Sequence, residues 1–129
     1  NLDNKIVHRN KIAKKYDKAL VNLSNISFAI DSSEDLVNSY YRYPIILSLD
    51  KDSSQFESLF NSSKIYLGHY YPMISQTKLY GSKSGSNRGN LEVSELISLH
   101  IFSLPIHNDL SSDDIKRVIN KMQDIDKII

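Results

Sequence analysis

The sequence predicts an α+β fold, a small domain of two layers. Two observations carry this: apolar residues recur at helical spacing near both ends, and short aromatic or β-branched runs lie between them. The 129 residues are enough for one domain spanning 1–129. Chains of about this size bury roughly two-thirds of their unfolded surface.

Leu2, Ile6, Ala13, Tyr16 and Leu20 keep helical spacing, which predicts an amphipathic helix over 2–20. Its basic residues, among them Lys5, Arg9, Lys11 and Lys15, form either a solvated face or a surface for an acidic partner. ISFAI (26–30) reads as extended and DSSED as a turn. YYRYPIILSL (40–49) reads as a strand, with Pro44 suited to an edge or to a place where its missing N–H is harmless. DKDSSQFESLFNSS predicts a helix, with Ser54 and Glu57 at capping-box spacing and Phe56, Leu59 and Phe60 facing inward. KIYLGHYY is a second strand and GSKSGSNRGN (81–90) a loop. LEVSELISLH is a short helix and IFSLPI a third strand. A last helix starts at Ser111, where Asp113 and Asp114 suit the positive end. Ile115, Val118, Ile119, Met122 and Ile125 form its stripe.

Sixteen basic and fifteen acidic residues give a formal charge of +1, so nothing in the bulk charge attracts nucleic acid or an anionic membrane. Without cysteine there are no disulfides and no thiolate sites, which is compatible with a cytoplasmic location. No run approaches the roughly 20 apolar residues of a membrane helix. The chain opens on Asn1 and has no signal-peptide core, and is read as a processed chain or an excised segment.

His8, His69, His100 and His107 show no H-x-x-x-H or H-E-x-x-H spacing, so no metal site is expected. His8 is placed on an exposed helical face, while His100 and His107 flank IFSLPI and serve backbone or loop groups. His69, Tyr70 and Tyr71 offer an imidazole and two phenols that can donate to phosphate or sugar oxygens, or pack their rings on the core. The loop GSKSGSNRG matches neither nucleotide-binding glycine signature; it is a linker, or Lys83 and Arg88 reach an anion from it. Glu92 and Glu95 share a helical face, as acid–base carboxylates would, but ordinary helix-surface charge also explains them. No catalytic residue is assigned.

Three segments in order carry a resemblance. NLDNKIVHRNKIAKKYDKAL, with Leu2–Asp3, Arg9 and Ala13–Lys14–Lys15–Tyr16, resembles the connecting helix of the DegT/DnrJ/EryC1/StrS family of pyridoxal-phosphate-dependent sugar aminotransferases. YYRYPIIL resembles that family's first small-domain strand. HYYPMISQTKLYG followed by SELISLHIFSLPIHNDLSSDDIKRVINKM resembles its terminal block. The resemblance covers essentially the whole chain but only the family's C-terminal small domain. It implies a short, mainly antiparallel sheet packed by helices, as in the C-terminal domain of aspartate-aminotransferase-fold enzymes.

It further implies a parent, acting as a homodimer, that moves an amino group from an amino acid to a nucleotide-linked keto sugar for surface polysaccharide synthesis. The Schiff-base lysine and the aspartate facing the pyridine nitrogen belong to the family's large domain. Pyridoxal phosphate is therefore implied for the parent and no cofactor for this chain, which by itself is expected to be inactive. Its partners would be the missing large domain and the nucleotide sugar. Its role would be to close the cleft and support the dimer. The substrate-side residues implied are His69, Tyr70, Tyr71, Ser75 and Gln76, with Lys83 and Arg88 reaching from the loop. Ile74 stands where the family commonly has a histidine, which points to a changed substrate or a degenerate paralogue, with His69 as a replacement imidazole. The alternative is a standalone, non-enzymatic module that binds a ligand or a protein. Apolar surface, and with it weak self-association, is expected at the tyrosine loop and on part of helix 2–20.

Overall fold

The computed structural model describes residues 1–28, 38–73, 77 and 91–129. Its elements run α1 (Leu2–Leu20), β1 (Ile26–Phe28), β2 (Tyr43–Leu47), α2 (Ser53–Asn61), β3 (Gly68–His69), α3 (Glu92–His100), β4 (Ile101–Leu104) and α4 (Ser112–Asp126). The expected DSSED turn and the 81–90 loop lie outside the described residues. The four strands form one antiparallel sheet in the order β1-β2-β4-β3. The α+β small domain expected from the sequence is the fold found.

Strand alternation sorts the sheet into two faces. Tyr43, Ile45 and Leu47 of β2 are buried, and register pairs Ile45 with Phe102 and Tyr43 with Leu104, so these residues share one face. Tyr16 of α1 and Phe56 of α2 meet that face through ring contacts with Tyr43 and Phe102 at 5.1 and 5.3 Å. Pro44 and Ile46 lie on the other face, half-buried.

Tyr43 ties the layers together. Its hydroxyl donates to Asp17 Oδ1 at 2.6 Å and its N–H donates to Ser103 Oγ at 3.2 Å. The Tyr16 hydroxyl donates to the Pro105 carbonyl at 2.8 Å, linking α1 to the end of β4. Asp126, at the end of α4, accepts from the N–H groups of Ser24 and Asn25, which pins the turn after α1.

Several details depart from the sequence reading. Leu2 is exposed, while Ile12, absent from the expected stripe, is buried. The Nε2 of His8 is enclosed and lacks a partner among the described residues, so this histidine is not simply on an exposed face. Pro44 sits in a central strand rather than at an edge. It is tolerated near the start of β2, one step outside the described β1 ladder, which begins at Phe28↔Ile45. Asp52, not Ser54, caps α2, because its carboxylate accepts from both Ser54 N and Gln55 N and leaves Glu57 free for another contact. α4 does carry a capping box, built from Ser111 and Asp114. The strand expected over KIYLGHYY shrinks to two residues because its start is used to end α2. Lys64 N–H bonds to Asn61 O and Ile65 N–H to Phe60 O, a Schellman ending with Lys64 at φ 55°. Glycine is the usual occupant there, and a left-handed side-chain residue costs about 1 kcal/mol.

The two buried phenols make stability pH-dependent. Burial pushes the Tyr16 phenol well above the ordinary 10.0. Burial, then the Asp17 hydrogen bond and charge, does the same to Tyr43. A folded-state pKa raised in this way contributes stability that is complete below the unfolded value and lost as pH climbs past it. Urea midpoints should therefore fall above pH 10.0, and fall less steeply in a Tyr16→Phe/Tyr43→Phe double variant. A wild-type midpoint that stays flat across that range would contradict this assignment.

Candidate functional site

The starts of β2 and β3 and the end of β4 come together at one end of the sheet because all three strands are antiparallel neighbours. There the described part of the expected tyrosine segment begins. His69 pairs in register with Phe102, and its ring contacts Phe102 edge-on at 5.7 Å. Its Nε2 lies 2.7 Å from Glu57 Oε1, so α2 and the edge strand β3 are joined by a surface acid–imidazole pair. Such a pair contributes no more than about 1 kcal/mol.

Tyr70, one residue on, turns to the other side. It lies under the Arg42 guanidinium, whose carbon is 5.0 Å from the ring centre. Burial raises the Tyr70 phenol pKa, while the Arg42 charge and a hydrogen bond with Ser103 oppose the shift. Arg42 Nη1 also donates to the His69 carbonyl at 2.5 Å. Tyr71 is 90% exposed. The structure thus places His69 and Tyr70 side by side in the chain but on divergent sides of the sheet. Ser75, Gln76, Lys83 and Arg88 lie outside the described residues.

Gly68 makes this arrangement possible. A Cβ built there would meet Ser103 Cβ at 3.2 Å and Arg42 Nη1 at 3.5 Å, so the missing side chain lets Arg42 cross β3. Arg42, Glu57 and Ser103 were not expected at this site from sequence. A cation set among three tyrosines, YYRY, was the available signal for Arg42.

His100 has both ring nitrogens against backbone carbonyls, Leu96 O at 2.8 Å and Lys51 O at 3.1 Å, which is the backbone-satisfying role expected for it. Glu92 and Glu95 sit in the first turn of α3, where negative charge suits the helix end. Among the described residues no group of three or more potential metal ligands assembles. None of the described helices is long and apolar enough to cross a membrane.

The DegT/DnrJ/EryC1/StrS aminotransferase family profile matches residues 1–123. The chain belongs to this family. Its fold recurs in the aminotransferase TlmJ from Streptoalloteichus hindustanus, with a TM-score of 0.82 at 20% identity over 99% of this chain and 34% of that one. S. venezuelae DesV, solved in complex with a ketimine intermediate, gives 0.81 at 19%, over 98% of this chain and 33% of that one. Helicobacter pylori PseC, an aminotransferase of pseudoaminic acid biosynthesis, gives 0.81 at 19%, over 98% and 34%. The chain therefore spans about a third of the length of the solved family members it matches. Among curated proteins, none matches it in sequence.

Gly68→Ala is expected to cost about 1–2 kcal/mol, an overpacking penalty, and to shift the Ser103 amide resonance as Arg42 is displaced. Urea denaturation and an amide spectrum check both, and unchanged stability with an unmoved Ser103 signal would contradict the close approach.

Proposed function

We propose that this chain is the C-terminal small domain of a longer pyridoxal-phosphate-dependent aminotransferase that aminates a nucleotide-linked keto sugar. The carrying observation is the family match over nearly the whole chain, together with coverage of only about a third of each solved relative. The apolar side chains left at the surface support a further packing partner. Val93, Leu96 and Leu99 of α3 are exposed at helical spacing, a stripe the sequence reading did not foresee, alongside Leu2 and Val7 of α1. A large domain of the same polypeptide, and dimerisation of the parent, fit these surfaces.

Pyridoxal phosphate does not fit the described residues of this chain. The cofactor requires an amine held within a pocket and a carboxylate facing its ring nitrogen. Lys64, which with Asp114 lines a cleft at the end of the sheet, is exposed at a helix ending, and the Asp114 carboxylate is taken up by the Ser111 cap. The chemistry therefore falls to the rest of the parent, and this domain contributes a wall. On that wall Tyr70 is held by Arg42 and Ser103, and Tyr71 projects its ring and hydroxyl outward. His69, Ser75, Gln76, Lys83 and Arg88 complete the proposed substrate side, with the transfer taking place in the cytoplasm and serving polysaccharide synthesis.

The test is to express the full reading frame and assay amino transfer from glutamate to a nucleotide-linked keto sugar. Transfer that disappears on deleting residues 1–129 and is weakened by Tyr71→Ala is expected. A reading frame without an upstream lysine-bearing domain, or transfer indifferent to the deletion, would overturn the proposal.

A further inference from the structure

A cleft of about 550 Å³ opens at the end of the sheet, between the approach to β3, the loop after β4 and the first half of α4. That volume lies within the range of small-molecule sites, about 300–1,000 Å³. Three cations border it, Arg42, Lys64 and Arg117, against one carboxylate, Asp114. The carboxylate is already engaged: Asp114 Oδ2 accepts from both the hydroxyl and the N–H of Ser111, and Arg117 Nη1 stands 3.9 Å from its other oxygen. Among the described residues the cations keep free donors. Arg42 and Arg117 each spend an N–H on a backbone carbonyl, of His69 and Ser63, which fixes the guanidinium and leaves most of its five donors unused.

Lys64 is the telling residue. It occupies the left-handed position of the α2 ending, φ 55°, where glycine is favoured. Its ammonium has no hydrogen bond or ion pair among the described residues, although it lines the cleft. Strain at a residue with no structural partner points to a use for its side chain. Tyr41 and Tyr66, 77% and 71% exposed, add two uncovered rings to the same cleft.

We propose that this cleft binds a phosphate-bearing small molecule through Arg42, Lys64 and Arg117. Guanidinium forks and an ammonium suit phosphate oxygens, and the apolar wall leaves room for an organic group beyond them. The site shares Arg42 with the wall proposed above, and its other two cations, Lys64 and Arg117, lie outside that wall, so binding that depends on them distinguishes this inference from the reading of the parent enzyme.

Amide NMR titration of this chain with inorganic pyrophosphate tests the site, with Lys64→Gly as the principal variant. Saturable shifts at Lys64, Tyr66 and His107 are expected, weakening as salt rises. Lys64→Gly should raise the Tm, since it removes the left-handed strain, yet weaken binding by about fivefold or more. Arg117→Gln should weaken binding similarly. A parallel titration with uridine diphosphate separates the two forms of ligand: binding tighter than that of pyrophosphate assigns an organic phosphate, and equal binding a bare phosphate. Absence of saturation up to about 10 mM, or equal affinity in wild type, Lys64→Gly and Arg117→Gln, would overturn the proposal.

Discussion

Tyr43 is the side chain on which the rest of the structure depends. A β-strand side chain points to one face only, so a residue that holds two layers must do so through its ring and its polar tip together. Tyr43 does this with its ring against Tyr16, its hydroxyl on Asp17 and its N–H on Ser103. Tyr40 stacks beside it at 6.2 Å and Phe28 meets it edge-on at 6.1 Å. Through these contacts α1, β1, β2 and β4 are fixed relative to one another. The position of Ser103, in turn, sets where Tyr70 and Arg42 lie.

Legibility followed the physics of each element. α1 and α4 were readable because their apolar spacing is long enough to average over individual misfits such as Leu2. The cap of α2 was misplaced because two cap-competent residues adjoin. Only geometry shows that the Asp52 carboxylate reaches two N–H groups at once. The sequence left Pro44 either at an edge or where its missing N–H is harmless, and could not choose between them because strand order is a long-range property: β2 is central only because β4, distant in sequence, lies beside it. The candidate site was half legible. A run of polar aromatics marked the segment, but the divergence of His69 from Tyr70 follows from strand alternation, which a chain-neighbour reading overlooks. Arg42 and Glu57 reach the segment through tertiary contacts, and the local pattern, at most the YYRY run around Arg42, does not say which segment they meet.

Several of the described polar groups hold neighbouring structure in place. His69 is paired at the surface, His100 is turned to backbone carbonyls, and the tyrosines of the core are kept neutral by burial. Among the described residues, what remains available at the end of the sheet is two fixed guanidinium groups, the Lys64 ammonium and the exposed rings of Tyr41 and Tyr66. This division suits a part of an enzyme that shapes a ligand's surroundings while another part performs the chemistry.

The proposed reading leaves the family's cofactor to the rest of the parent, with no lysine among the described residues built to carry it. The most direct measurement is to incubate the chain with one equivalent of pyridoxal phosphate, reduce with borohydride and map the adducts by mass spectrometry. Scattered, incomplete labelling of exposed lysines is the result the account predicts. One lysine labelled to completion ahead of all others would contradict it.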